Sequence, residues 1–374
     1  MKINHLVIEG DSFFLKRRPQ LVNSFKKYVL EVDQVFTGDY YRADPFGKLE
    51  LFCMKVLNRL RNDGRDVWAA HYKSKRAFVT ESRTAARIIE NLPKRPDHVL
   101  HMHTMYAPLV LGSKPPVPYS IITDYTQAQC ANWPLWQNGS KRKNKEFIAC
   151  QRLAYENASY IFTFSDIARE SLCKEYGIAE SKVKTVGSGG DIREVFVGEK
   201  SFGTKQLLVS GTDWRRKGAD IAVDALRIVR KTIPDATLVI LGDCKRQVAE
   251  PGVHYSGFIK ERGKIDEIFA NTDVFLSPAR CDPFPGLVLE AMNRGIPVLA
   301  SDKDGMPEMI DNGACGGIVS LDPADLAAKI IALLSDEKQL REKSDAARRR
   351  IREKYNWDII TKLIIDTWLA DPAK

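Results

Sequence analysis

Apolar runs alternate with helix-length amphipathic stretches along almost the whole chain, most regularly in its second half. Residues 206–211 (Gln-Leu-Leu-Val-Ser-Gly) have the continuous apolar character of a strand buried on both faces. Asp220 to Thr232 follows with Ile221, Val223, Ala225, Leu226, Ile228 and Val229 at helical spacing. Ala236 to Gly242 reads as a second strand behind the turn at Pro234. Val274 to Pro278, Pro297 to Ala300 and Gly317 to Val319 continue the series, each leading into a helical segment. Strands of this kind separated by helices predict parallel sheets covered on both faces. The first half repeats the theme at residues 4–8, 32–37, 67–71, 99–103, 119–123 and 160–165. Gly187-Ser188-Gly189-Gly190 is the best linker candidate between the halves. The prediction is an α/β protein of two doubly wound domains facing across a cleft, with ligands bound beyond the carboxyl ends of the strands.

Composition narrows the class without altering that picture. A chain of 374 residues, 44% hydrophobic and 28% charged, has length for two ordinary cores and none of the bias of a disordered or repetitive protein. Its apolar runs fall well short of the roughly 20 residues of a membrane-spanning helix. Leu6-Val7-Ile8 stops at Glu9, too soon for the core of a signal peptide. Seven scattered cysteines without a C-x-x-C pair predict reduced thiols and a cytoplasmic location.

Charge does alter it. Residues 1–190 carry a net +10 and residues 191–374 a net −1, so the basic character (pI about 9.1) belongs to the first half. Such an imbalance selects anionic partners for one face. Lys16-Arg17-Arg18 stands beside Phe13-Phe14, a cationic and aromatic mixture suited to lipid headgroups. An anionic membrane surface on the inner face of the cell membrane is therefore an expected partner of the N-terminal domain. Lys26-Lys27 and Lys141-Arg142-Lys143 with Lys145 are the other dense clusters, and each serves equally well as solvated surface.

Three constellations in the second half carry chemistry. Ser210-Gly211-Thr212-Asp213-Trp214-Arg215-Arg216-Lys217-Gly218 joins a strand end to a helix start. Gly211 lets backbone N–H groups approach a ligand and the three consecutive cations suit a diphosphate, although an exposed basic turn has the same composition. The run is neither a P-loop nor a dinucleotide fingerprint. In the stretch from Cys281 to Met292, Asp282 precedes a turn stiffened by Pro283 and Pro285, and Glu290 falls within the helix that follows. Two acceptor-only carboxylates so placed can grip a hydroxyl-rich ligand such as a sugar or a ribose. Gly257-Phe258-Ile259 closes a further strand and offers backbone groups and an aromatic face, or simple core packing.

Together with Lys217-Gly218-Ala219-Asp220, Pro234-Asp235-Ala236-x-Leu238-x-Ile240-x-Gly242, Gly295-Ile296-Pro297-Val298 and Gly305-Met306-Pro307-Glu308, these runs resemble the retaining GT-B glycosyltransferases of glycosyltransferase family 4. The resemblance is specific over residues 205–320, looser over 155–191 and faint before that. It implies the GT-B architecture: an N-terminal acceptor-binding Rossmann-like domain (1–190), a C-terminal nucleotide-sugar-binding Rossmann-like domain (191–354), and a terminal helix (355–374) crossing back to the first domain. Hinge closure around the donor goes with it. The implied reaction moves a hexose from a nucleotide-diphosphate-sugar, UDP- or GDP-linked, to a hydroxyl of a glycan or glycolipid acceptor. It proceeds with retention, in cell-surface polysaccharide or lipopolysaccharide assembly.

The same resemblance assigns roles. Glu290 would bond the ribose hydroxyls, and Asp282 the hydroxyls of the transferred sugar, assisted by backbone groups of Phe284, Gly286 and Leu287. Lys217 would stabilise the departing diphosphate, and Gly257, Phe258 and Ile259 would line the base. No metal or other cofactor is implied, because side-chain cations and a helix N-terminus neutralise the leaving group. Two departures stand out. Asp282 occupies a position where the family usually has Glu. Thr212 occupies that of a common Arg, so Arg216, or else Arg215, would supply the second cation.

The acceptor side looks specialised. His98-Val99-Leu100-His101-Met102-His103 is similar to the family's strand-end H-x-H, and alternation puts His101 and His103 on one strand face. A metal there would need a third ligand that the sequence does not offer. Asp124 stands after the next strand, where many relatives carry a His. Its carboxylate can orient the acceptor hydroxyl or stabilise a cationic transition state, or it can be a helix cap. His103 and Asp124 are thus the catalytic candidates on this side, with Lys217 and Asp282 on the other. Gly10, followed by Asp11-Ser12, is all that remains of the family's glycine-rich first loop. A basic nucleic-acid-binding protein is the alternative from another class. No RNP, KH, zinc-finger or helix-turn-helix pattern is present, and no nucleic-acid partner is expected. A non-catalytic glycan-binding relative and a synthase of a soluble disaccharide are the other readings. Lys217 and Glu290 argue against the former, Thr212 for it.

Overall fold

A computed structural model describes residues 3–16, 18–37, 73–103, 105–131, 133, 141–244 and 247–370, with single positions between 45 and 56. The strand predicted at 67–71, Arg17 and the Phe13 side chain lie outside the described residues. The chain divides into two compact units, Met1–Gly187 with Thr361–Lys374, and Ser188–Ile360. The first division falls ahead of Ser188, inside the glycine run and slightly before the expected boundary after Gly190. The return falls within the last helix, Trp357–Leu369, rather than ahead of it. The two ends of that helix explain the difference. Trp357 Nε1 donates to the Gly190 carbonyl at 3.0 Å, within the second unit. Trp368 is buried in the first unit, where its ring meets Phe25, His98 and Phe162 and its Nε1 donates to Ser120 Oγ at 3.0 Å. Truncating an aromatic anchor of this kind costs about 3–5 kcal/mol.

In the first unit the strands β1 (His5–Gly10), β2 (Glu31–Phe36), β3 (His98–Met102), β4 (Tyr119–Thr123), β5 (Ile161–Thr163) and β6 (Val183–Thr185) are parallel, in the order β2-β1-β3-β4-β5-β6. β1, β3 and β4 are buried along their whole length, with Leu6, Val7, Ile8, Val99, Leu100, Ile121 and Ile122 supplying most of that surface. Val7, Val99, Tyr119 and Ile121 pack against Phe78 and Ile89 of helix Lys75–Glu90 and against Phe147, Ala154 and Tyr155 of helix Lys141–Asn157.

The second unit holds β7 (Gln206–Ser210), β8 (Thr237–Leu241), β9 (Val253–Gly257), β10 (Thr272–Ser277), β11 (Val298–Ser301) and β12 (Gly316–Val319), again parallel, in the order β12-β11-β10-β7-β8-β9. Leu207, Val209, Ile240, Val274 and Leu276 form its core with helices Ala219–Val229 and Pro323–Leu334. In each unit the strand order reverses beside the first strand, between β1 and β3 and between β7 and β10. Loops leaving those neighbouring strand ends splay apart and open a ligand crevice. Among the described residues no helix is long and apolar enough to cross a membrane.

Candidate functional site

At the switch point of the second unit the loops after β7 and β10 are locked together. Gly218, at φ 76°, precedes helix Ala219–Val229, and a Cβ on it would lie 2.0 Å from the Pro278 carbonyl oxygen. Glycine alone allows that approach. Arg280 reinforces it: its N–H donates to the Arg216 carbonyl at 2.8 Å, and its guanidinium forks onto Asp220 at 2.8 and 2.9 Å. Asp213 takes the left-handed conformation (φ 57°), accepts from Arg216 Nε at 2.5 Å and receives the Lys217 N–H on its carbonyl at 3.0 Å. Gly211 sits so close to β8 that a Cβ would lie 2.6 Å from Ile240 Cγ2.

This turn throws its cations onto Asp282. Lys217 Nζ donates to Asp282 Oδ2. Arg216 Nη1 lies 3.4 Å from the same oxygen and donates to the Cys281 carbonyl at 3.0 Å. Asp282 is buried, and its own N–H donates to Asp304 Oδ2 at 2.7 Å. Arg216 is thus the arginine brought onto the carboxylate, while Arg215 stays exposed. Burial opposes the Arg216 charge, but Asp282 and Asp213 more than offset it and raise its pKa. The neighbouring Cys281 thiol is pushed up by burial to about 11, so it stays protonated.

Helix Gly286–Asn293 starts behind Pro285, and its first N–H groups, those of Gly286 and Leu287, have no acceptor in the preceding turn. The Phe284 ring is buried edge-on against Tyr355, 5.6 Å between centroids. Glu290 Oε2 accepts from Arg262 Nη1 at 2.8 Å. Burial raises the Glu290 pKa above the ordinary 4.5, with Arg262 working against it. Gly257 ends β9 at φ 63°, followed by Phe258 at 73% exposure and a half-buried Ile259. Such exposure rules out core packing for Phe258. Sequence reasoning missed Arg262, whose one signal is its place at the head of the helix after Gly257-Phe258-Ile259.

In the first unit the expectation of two histidines on one strand face is corrected. β3 ends at Met102 and His103 turns to φ 68°, which breaks the alternation. His101 is wholly buried, its Nδ1 paired with Glu9 and its Nε2 2.7 Å from the Tyr106 carbonyl oxygen. The Tyr106 hydroxyl donates to Glu9 at 2.8 Å, and Thr37 joins them. His103 instead packs on Phe14 and places Nδ1 3.3 Å from Asp124 Oδ1 and Nε2 3.3 Å from Arg18 Nη1. A guanidinium only donates, so Nε2 accepts and Nδ1–H faces Asp124: the ring is neutral. Burial lowers the His103 pKa below 6.5, with Asp124 opposing. For Asp124, burial pushes upward but His103 and Arg18 outweigh it, and its pKa is lowered. Thr126, not Asp124, caps the following helix, which removes the capping alternative. Arg18, expected at a headgroup surface, is turned onto His103, Phe14 and Phe164.

Among the described residues one group of three side chains could hold a metal ion: His5, Glu31 and Asp33. His5 and Glu31 stand at the amino-terminal ends of β1 and β2, at the sheet edge opposite to His103, and Lys94 already pairs with Glu31.

Residues 204–336 match the family described as glycosyl transferases group 1. A phosphatidyl-myo-inositol mannosyltransferase of Mycobacterium tuberculosis is 31% identical over 176 residues, 44% of this chain and 46% of that protein. The match thus spans about half the length of that relative. The alpha-maltose-1-phosphate synthase of Mycolicibacterium smegmatis is 25% identical over 312 residues, 72% of this chain and 78% of that one. Among solved structures, Anabaena HepE in complex with UDP and glucose superposes with a TM-score of 0.64 at 14% identity, covering 98% of this chain and 100% of that one. Sucrose-phosphate synthase from Thermosynechococcus elongatus gives 0.67 at 13% identity, with 98% of each chain covered. At those identities the likeness is one of fold.

Proposed function

We propose that this chain, which belongs to the group 1 glycosyl transferases and has their GT-B fold, is a retaining hexosyltransferase. It takes a nucleotide-diphosphate-sugar and glycosylates a hydroxyl of a glycan or glycolipid in polysaccharide assembly. The observation that carries the reading is the cluster of Lys217, Arg216 and Asp282, with Glu290 on the adjoining helix, inside the matched residues and at the carboxyl edge of the sheet.

Each group then has a task. Lys217 and Arg216 neutralise the charge that gathers on the diphosphate as the anomeric C–O bond breaks. Asp282, released from Lys217 by that anion, accepts from hydroxyls of the sugar, and Glu290 accepts from those of the ribose. The acceptor oxygen bonds to the anomeric carbon on the face the diphosphate leaves, and its proton passes to the departing phosphate oxygen. Asp124 orients that hydroxyl, and His103 positions Asp124: its neutral imidazole is held by Arg18 on one side and the carboxylate on the other. A relative named as a phosphatidyl-myo-inositol mannosyltransferase supports a glycolipid acceptor. The cytoplasm, against the membrane that carries a glycolipid acceptor, fits the exposed Lys26-Lys27 and Lys141–Lys145 clusters.

The test is donor turnover across UDP-, GDP- and ADP-linked glucose, mannose and N-acetylglucosamine with a chelator present, reading released nucleoside diphosphate. One donor class should turn over and Lys217→Met should slow it by about 10²–10³. NMR of the product should show the donor's anomeric configuration. A chain that neither binds nor turns over any of these donors would overturn the reading.

A further inference from the structure

We propose that Arg262 is a positioning residue for the nucleotide: it occupies one oxygen of Glu290 and thereby aims the other at the ribose hydroxyls. This deepens the donor-site reading above and rests on it.

The geometry is specific. Arg262 is the first residue of helix Arg262–Asn271, and Glu290 lies within helix Gly286–Asn293. Arg262 Nη1 meets Glu290 Oε2 at 2.8 Å, while Oε1 has no hydrogen-bond partner among the described residues. Arg262 is itself held: its Nε lies 3.3 Å from Asp266 Oδ1, the oxygen that also takes Arg294 Nη2 at 2.5 Å. Arg294 is stacked over Phe196, 5.4 Å from the ring centroid. Glu290, Arg262, Asp266 and Arg294 form a chain of alternating charge tying the helix after the base loop to the helix after the sugar loop. A charged donor on a carboxylate is shorter and stronger than a neutral one, and here it also removes rotamer freedom from a buried acid. The groups around Glu290 are Arg262 and Asp266 from one helix, Arg294 from its own, and Asp191 from the segment that opens the second unit. Asp191 and burial disfavour the ionised acid, while Arg262 and Arg294 favour it. An acid that must accept two hydroxyls has to be ionised and pointed, and Arg262 supplies both conditions.

The experiment is calorimetric binding to the full chain of UDP, GDP and ADP, continued with whichever binds, and of its 2′,3′-dideoxy analogue. Arg262→Gln should weaken the ribonucleotide about tenfold, the value of one charge-assisted hydrogen bond. It should leave the dideoxy analogue within about twofold, because no hydroxyl then reports the aim of Glu290. The pH at which ribonucleotide affinity falls should move upward in Arg262→Gln, and Arg262→Lys should recover part of both effects. Equal losses for ribo and dideoxy ligands, or none for either, would overturn the inference and leave the donor site standing. A wild-type chain that binds none of the three nucleotides would overturn the donor reading and this inference with it.

Discussion

Replacing Lys217 by Met tests the donor site through stability and turnover at once. In the free protein Lys217 and Asp282 share a site that shields both, with side chains 19% and 8% exposed. Removing one member of a buried ion pair costs about 3–5 kcal/mol when the remaining charge is left uncompensated. Arg216 stays 3.4 Å from the same Asp282 oxygen, so the expected cost is roughly half of that, about 2 kcal/mol. For a unit of this size 1 kcal/mol moves the melting midpoint by about 2–4 °C, so Lys217→Met should lower it by about 4–8 °C. Adding Asp282→Asn removes the orphaned charge, and the double variant should melt above Lys217→Met with a coupling energy of at least about 1 kcal/mol. Turnover should behave differently. On the proposed reading, in which Lys217 serves the leaving diphosphate and Asp282 the sugar, both single variants lose about 10²–10³ in kcat and the double variant regains none of it. Thermal melts of the four proteins and saturation kinetics with the preferred donor supply the numbers. Additive melting shifts together with near-normal turnover in Lys217→Met would refute the reasoning, since the pair would then be a surface contact beside a site located elsewhere.

Three further outcomes are expected. In the proposed role Glu290 accepts from ribose as an ionised carboxylate, and its pKa is raised by burial, so nucleotide affinity should be flat near neutrality and fall as the pH drops through a value above 4.5. Glu290→Gln should lower affinity and erase that acid limb in a calorimetric pH series. Gly218→Ala forces φ 76° on a residue with a Cβ and drives that Cβ into the Pro278 carbonyl. The backbone conformation alone costs about 1–2 kcal/mol and the displaced loop adds to it, so circular dichroism should show an earlier melt, and nucleotide binding should weaken. His103→Ala and Asp124→Asn should keep nucleotide affinity while losing about 10²-fold or more in transfer. The activity limb that follows His103 should lie below 6.5, with the neutral ring active above it. Arg18→Gln should move that limb upward, because a like charge beside the imidazole is removed.

What the sequence makes legible, and what it hides, follows from how each feature is encoded. Strands covered on both faces are mostly apolar, so β1, β3, β4, β7, β8, β10 and β11 stand out as runs centred on apolar residues, whereas the three residues of β6 are too few to carry a period. The order of strands in a sheet depends on pairing and leaves no trace in periodicity. Lys217, Asp282 and Glu290 are readable because a glycine, a proline turn and a helix start fix their neighbours along the chain. Arg262 is hidden because its partner lies on another helix, and a cation at a helix head looks like any solvated charge. His103 is misread for a related reason: alternation holds only while the strand lasts, and its φ of 68° ends it one residue after Met102. The same left-handed backbone recurs at Asp213, Gly218 and Asp304, each in a loop beyond a strand's carboxyl end; Asp213 bonds Arg216, Asp304 bonds Asp282, and Gly218 follows Lys217 in the chain. Periodic patterns describe regular backbone, while ligands are held where the backbone leaves regularity to present its N–H groups and side chains. Such turns are therefore the places where a pattern-based reading of this fold should be distrusted first, and where substitutions should be tested first.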